Sequence, residues 1–216
     1  MMAATKSRSA DDHSIYIVGS GGHARVAADI LIAAGQMPTA FIDEPHAGES
    51  RLGLPVIGAG DVGSDVRVIV AIGDNEVRER VAQDYHRFAT AIHPRATIAP
   101  DLQIGCGTVI MAGVVLSVGV SIGNHCIVNT HASIDHDVVL DEFVHVGPGA
   151  TLGGSVRVGR ASVVSLGANI IHGRTIGRDT IIGAGAVVLR DVPERVVAVG
   201  VPATVIRSRK PGDRYL

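Results

Sequence analysis

The sequence predicts two joined architectures: a small α/β domain with a parallel sheet over residues 14–92, followed by a β-solenoid of hexapeptide repeats over 93–192. Three observations predict them. Strand-like and helix-like segments alternate in the first part. A glycine-rich turn links the first strand to the first helix. Beyond residue 92, an aliphatic residue recurs at every sixth position.

In the front part, IYIVG (15–19) reads as a buried strand. HARVAADILIAAG (23–35) carries apolar residues at helical spacing and ends on Gly35. TAFIDE (39–44) and VRVIVAIG (66–73) read as further strands, NEVRERVAQDY (75–85) as a helix, and ATAIHP (89–94) as the lead into the solenoid. Such alternation favours a small parallel sheet. The turn Gly19-Ser20-Gly21-Gly22-His23-Ala24 fits the pattern G-x-G-x-x-A, and Asp43 stands at the end of the second strand, which makes the domain Rossmann-like. Glycines let backbone approach a phosphate, and the helix N-terminus attracts it. A dinucleotide site takes two mononucleotide halves, whereas this segment supplies one, so a nucleotide joined to something smaller fits better. A tight turn without a ligand is the alternative.

The repeat runs Ile98, Ile104, Ile110, Leu116 and onward at every sixth residue to Val188, 16 positions without a miss. If about a third of residues were Ile, Leu or Val, the odds would be on the order of 10⁻⁸. A strict period of six does not suit a helix of 3.6 residues per turn but belongs to β-solenoids. Three hexads close one coil, and each aliphatic stacks inward on its copy 18 residues later. Gly follows the aliphatic at 105, 123, 147, 153, 159, 177 and 183, where it relieves crowding at corners. Four residues after the aliphatic come small or β-branched residues such as Thr108, Cys126, Ala132, Ala150 and Ser162. A narrow interior also explains 3% aromatic content and the absence of Trp.

A formal charge of −2 without a long basic run argues against nucleic acid as a partner. Cys106 and Cys126 show no CxxC pattern and are expected as two buried free thiols in a reducing compartment. The histidines lack the spacing of a closed four-ligand zinc set, so no metal is expected. Residues 1–13 lack the apolar core of a signal peptide and are expected as a flexible tail; 193–216 are expected as a C-terminal tail. With no apolar stretch of membrane-spanning length, no membrane insertion and a cytoplasmic location are expected.

The hexads over about 92–206 resemble the left-handed β-helix acyltransferases, and the handedness is what that resemblance implies. The order VGSGGHARVAADIL, FIDE, AIGDNEVRERV, DHD, AVGVPATVIR resembles the sugar O-/N-acetyltransferase family of bacterial surface-glycan synthesis. That resemblance implies a homotrimer with active sites between subunits, acetyl-CoA as donor, and a front domain holding a nucleotide-linked amino sugar. It implies that Gly21, Gly22 and His23 cradle the diphosphate, that Asp43 and Glu44 sit by the base or ribose, and that Gly73 and Asn75 line the same pocket. It further implies His136 as base with Asp137 as helper, and Asn129 and His145 in the active site, His145 against acetyl-CoA. The coenzyme is expected along Leu166, Gly167, Ala168 and Ala184, with Arg207, Arg209 and Lys210 near its phosphates or simply solvated. Ser165-Leu166 departs from the Gly-Ile pair common in the family.

The residues support that chemistry in their own right. Acetyl transfer to an amine needs a base and donors for the developing oxyanion. Histidine titrates near neutrality, and an adjacent carboxylate raises its basicity. Counted around the coil, His136 shares its column with Gly154 and His172, and Gly154 is expected to leave a slot for the pantetheine arm. Asn129 and His145 lie half a perimeter away, so they are expected to meet His136 across a subunit interface. His125, His131 and His172 are expected as ordinary surface residues, and Asp135 as a turn former. The reading is an acetyl-CoA-dependent N-acetyltransferase; the alternatives are a sugar O-acetyltransferase and a non-catalytic nucleotide-sugar-binding trimer.

Overall fold

The computed structural model describes residues 14–63, 65–210 and 213. The expected tail at 1–13 lies outside them. The front domain is built from β1 (Ile15–Val18), α1 (Gly22–Ala33), β2 (Ala40–Ile42), β3 (Ser50–Arg51), β4 (Leu54–Ile57), β5 (Arg67–Val70), α2 (Asn75–Ala82) and β6 (Arg87–Phe88). Its sheet runs β3-β4-β2-β1-β5-β6, parallel except where β3 turns back on β4. The strand order reverses between β1 and β5, so a crevice opens at their C-terminal ends. The strands at 50–57 were not legible in the sequence. Leu54 and Val56 alternate with exposed Pro55, a half-buried strand too short to stand out as a pattern.

The solenoid holds three parallel sheets of eight, six and five strands, the eighth being an antiparallel edge strand. Leu116 pairs with Ile134, Ile134 with Leu152, Leu152 with Ile170, and Ile170 with Val188, each step advancing 18 residues. The three-hexad coil therefore stands. From Ile110 to Val188 the periodic aliphatics are buried; Ile98 and Ile104, in the first coil, are only partly covered. The small residues four places on are buried too, and Thr108, Ser162 and Thr180 bond the corners together through their hydroxyls.

Two backbone demands recur at the corners. The residue three after the aliphatic takes a left-handed conformation: Gly107, Gly113 and Gly119 do so, but also His125, Asp137 and Phe143. The glycine directly after the aliphatic serves close approach instead. A Cβ on Gly123 would lie 2.7 Å from the Glu142 nitrogen of the next coil.

Residues expected as a tail from 193 onward include strands at Val196–Val199 and Thr204–Ser208. The first continues the eight-stranded sheet and the second pairs antiparallel with it, which covers the last coil's open edge. Cys126 is buried as expected, but Cys106 is exposed, its thiol 3.3 Å from Asn124 Oδ1, because it lies near the open first coil.

The front domain docks onto the solenoid along two lines. Val109, Met111 and Ile127 join Ile15, Ala27 and Ile30 in one buried cluster. Phe143 and Ala161 join Val18, Val68 and Val70 in another. Because interior stacking carries the solenoid, Leu140→Ala, at a fully buried position, is expected to lower unfolding free energy by about 2–5 kcal/mol, measured by urea denaturation at fixed protein concentration.

Candidate active site

The crevice at the C-terminal ends of β1 and β5 is lined by the glycine turn and by the loop at Gly73. Helix α1 begins after Gly21 with no side-chain cap and no acidic residue in its first turn. Its leading N–H groups therefore lack intrahelical acceptors and face an anion-favouring end of the helix dipole. Open space stands where Cβ atoms would be at Gly21, Gly22 and Gly73, so backbone is accessible there. Gly19 has φ +97, a backbone conformation that a side chain would strain, and a Cβ there would lie 3.4 Å from the Ala71 carbonyl oxygen, so the two loops are in contact. Ser20 Oγ donates to Asp43 Oδ2 at 2.5 Å, and His46 Nδ1 lies 3.2 Å from the same oxygen. Burial alone would raise the Asp43 carboxyl, but those two partners outweigh it and hold it below its ordinary value. Glu44 faces elsewhere: its Oε2 accepts from the Ala59 N–H at 3.0 Å and braces the turn after β4.

At a corner of the solenoid, His136 Nδ1–H donates to Asp137 Oδ2 at 2.9 Å, leaving Nε2 as the proton acceptor. Asp137 sits at φ +58, a conformation that aspartate tolerates better than most residues. Asp135 forms its expected turn by accepting from the His136 N–H at 2.8 Å. The hydrogen bond to Asp137, then the charge of Asp135, raises the His136 pKa. The ring is 53% exposed in the single chain. Gly154 was expected to leave a slot for the pantetheine arm; the His136 ring itself fills that space. A Cβ on Gly154 would collide with Nε2 and Cε1, so the glycine lets the imidazole lie flat on the next coil.

His145 and Asn129 are not beside His136 in the chain. His145 stands in the outward row Ala91, Val109, Ile127, His145, Val163, Ile181, where every other member is apolar. The front domain covers this part of the row. His145 bonds the Gly73 backbone and lies near His23, and its pKa is pushed down to about 3 by burial, then by Arg78 and His23. Asn129 Nδ2 lies 3.5 Å from His145 Nε2. His23 falls to about 4 for the same leading reasons, burial and Arg78, and its Nε2 has no hydrogen-bond partner among the described residues. The crevice and the His145 face therefore adjoin within one chain.

The Asn75 side chain is taken up by the solenoid and by Arg78. It is buried, and its amide donates to the Ala161 carbonyl at 2.9 Å and accepts from Arg78 at 2.6 Å, which fixes α2 to the solenoid. His125, expected at the surface, is 6% exposed and wedged between Phe88 and Phe143. Burial, then Arg78, lowers its pKa to about 4. Arg78 itself escaped the sequence reading, because one arginine in a charged helix looks solvated. Its position three residues after Asn75, on one helix face, was the available signal.

The proposed coenzyme groove is a run of exposed corners: Leu166 is 58% exposed, and Gly167 and Ala184 lie beside it in the stack, with Ala168 buried behind. Gly185 N–H donates to the Leu166 carbonyl at 2.9 Å. The cations of the C-terminal strand are paired locally: Arg207 with Asp213 at 3.1 Å, and Arg209 with the Asp179 carbonyl at 3.3 Å. No group of three or more metal-ligating side chains is found among the described residues. No helix there is long and apolar enough to cross a membrane.

Residues 14–85 match the PglD N-terminal domain family. The chain is similar in structure to a histidine-to-alanine mutant of GDP-perosamine N-acetyl transferase from Caulobacter crescentus, solved with CoA and GDP-perosamine. The TM-score is 0.85 at 38% identity, over 90% of this chain and 97% of that one. It is also similar to the acetyltransferase domain of PglB from Neisseria gonorrhoeae in complex with acetyl coenzyme A, with TM-score 0.83, 36% identity, and 90% and 99% coverage. Among curated proteins, a serine acetyltransferase from Mycobacterium tuberculosis is 37% identical over 109 residues, 43% of this chain and 48% of that protein. The chain spans about half the length of the first curated relatives it matches.

The buried rings make stability pH-dependent. His23, His125 and His145 are neutral in the fold well below the ordinary histidine value of 6.5. Their contribution is complete above about 6.5 and is lost as pH falls toward about 4. Urea midpoints are expected to fall from pH 7.5 to pH 5, and His125→Asn is expected to flatten that fall.

Proposed function

The chain belongs to the sugar N-acetyltransferase family of left-handed, hexapeptide-repeat β-helix proteins with a PglD-type front domain, and from that we propose that it transfers acetyl from acetyl-CoA to the amine of a nucleotide-linked amino sugar. The observation that carries the reading is the His136–Asp137 pair laid on Gly154, in a chain that matches a GDP-perosamine N-acetyl transferase nearly end to end. A bacterial role in surface-glycan synthesis, in the cytoplasm, follows from the same reading.

The glycine turn and the N-terminus of α1 bind the diphosphate, and Asp43 accepts hydrogen bonds from ribose or base. The sugar then projects from the crevice toward the face carrying Asn129 and His145. His136 lies half a perimeter away, so a neighbouring subunit of a trimer supplies it. Its Nε2 takes the proton of the amine as nitrogen attacks the thioester carbonyl. The N–C bond forms, the C–S bond breaks, and the imidazolium returns the proton to the departing thiolate. Asp137 holds Nδ1–H and stabilises the imidazolium. Exposed Leu166 and Ala184, with Gly167, offer a shallow track for the pantetheine arm.

His136→Asn is expected to keep the fold and the assembly but to lose about 10²–10⁴-fold in kcat. Release of free thiol from acetyl-CoA with GDP-, UDP- and dTDP-linked amino sugars measures it. A wild-type rate only with hydroxyl acceptors would move the reading to O-acetylation; binding of nucleotide sugars without thiol release would move it to a binding trimer. Asp137→Asn is expected to bring the His136 titration, followed by NMR, down from its raised value toward that of an ordinary histidine.

A further inference from the structure

Arg78 sits in α2 and is 1% exposed. It has five N–H donors, and all five point at acceptors. Nε donates to the His125 carbonyl at 2.9 Å; Nη1 donates to the carbonyls of Ile72 at 2.8 Å and Gly73 at 3.2 Å; Nη2 donates to Asn75 Oδ1 at 2.6 Å and the Phe143 carbonyl at 3.0 Å. These acceptors belong to three separate parts. Ile72 and Gly73 are the loop after β5 that lines the nucleotide crevice. His125 and Phe143 are the same corner of two successive solenoid coils. Asn75 is itself bonded to the next coil up, at Ala161 and Ser162.

We infer that Arg78 is a positioning residue for the acceptor: it fixes the height and angle of the crevice loop over the solenoid, and so the place at which the sugar amine is presented. A guanidinium suits this role because its fork is planar and rigid, whereas a lysine supplies three donors from one point. The Gly73 backbone also bonds His145, so the loop, the face that receives the sugar, and Arg78 form one hydrogen-bonded unit. Other contacts also join the domains: Arg160 pairs with Glu79 at 2.8 Å, and two apolar clusters bury the seam, one of them packing the Ile72 side chain. The domains therefore stay docked when Arg78 is replaced, while the loop loses both guanidinium bonds and keeps only the His145 bond and the packing of Ile72.

The inference rests on the proposed acetyl transfer, and wild-type turnover is measured first to test that separately. With a nucleotide-linked amino sugar as acceptor, Arg78→Met is expected to lose about 100-fold in kcat/KM, mainly through a raised acceptor KM, with acetyl-CoA KM within about twofold of wild type. Arg78→Lys is expected to fall between. With the free amino sugar at high concentration, which does not use the crevice, wild type and Arg78→Met are expected to agree within about twofold. A structural defect would lower both acceptors alike. Equal loss with both acceptors, an unchanged acceptor KM, or failure of both variants to fold overturns the inference. If wild type turns over no nucleotide amino sugar, the functional reading fails, and calorimetric titration with GDP and UDP decides the positioning role. About tenfold weaker binding by Arg78→Met supports it, and equal affinity overturns it.

Discussion

Everything in this protein is placed by one packing constraint: an aliphatic side chain must fall on its copy 18 residues later. Stacking Leu116, Ile134, Leu152, Ile170 and Val188 fills a narrow interior and fixes the coil length. Once the coil length is fixed, each corner position becomes a column with its own demands. One column must be small and buried, one must accept a left-handed backbone, and one must let the next coil approach closely. His136 and Asp137 occupy two adjacent columns of one corner. The imidazole lies against the next coil because Gly154 stands in its own column, and the carboxylate reaches Nδ1 from a left-handed residue. The pair is thus a product of the repeat and needs no special loop.

The second consequence is the seam. A solenoid face presents one outward residue per coil, and on this face that row is apolar except for His145. Covering the row with the front domain buries His145 and His125 and brings His23 close to His145. Histidines taken from water near a guanidinium stay neutral, and burial is the larger cause at each ring. A neutral imidazole donates from one nitrogen and accepts at the other, a suitable partner for a sugar or an acyl group. Arg78 binds backbone carbonyls from both domains, so the residue that adds to the effect of burial on these rings also ties the crevice loop down.

The repeat, the coil length, the glycine turn, and the His136–Asp137 pair were legible because each is written as a strict period or a local motif. The column count also placed His145 and Asn129 away from His136. What was not legible depended on contacts between distant segments. Asn75 was assigned to the nucleotide pocket because it adjoins Gly73 in sequence, but a helix face turns its amide to Ala161. Glu44 adjoins Asp43, but its carboxylate is taken by the Ala59 N–H. His125 looked exposed because nothing local announces Phe88 and Phe143 on either side. The outward rows of the other faces mix polar residues with valine (Thr97, Val115, Ser133 and Thr151, or Gln103, Ser121, Val139 and Arg157), while this face holds Ala91, Val109 and Ile127 in succession. That contrast marks the docking face from sequence alone.

The central claim is that register splits the chemistry between subunits, with the crevice and His145 on one chain and the imidazole of His136 on its neighbour. Mixed trimers test it most directly. One chain type carries His136→Ala, and the other carries Gly21→Glu, which sets a negative side chain in the open space before the helix N-terminus. Each variant alone is expected to be inactive. Co-refolded in equal amounts, they are expected to regain about a quarter of wild-type thiol release, the fraction of interfaces that unite an intact turn with an intact histidine. No recovery in mixed trimers of verified composition would contradict the account, because it would place both functions in one chain.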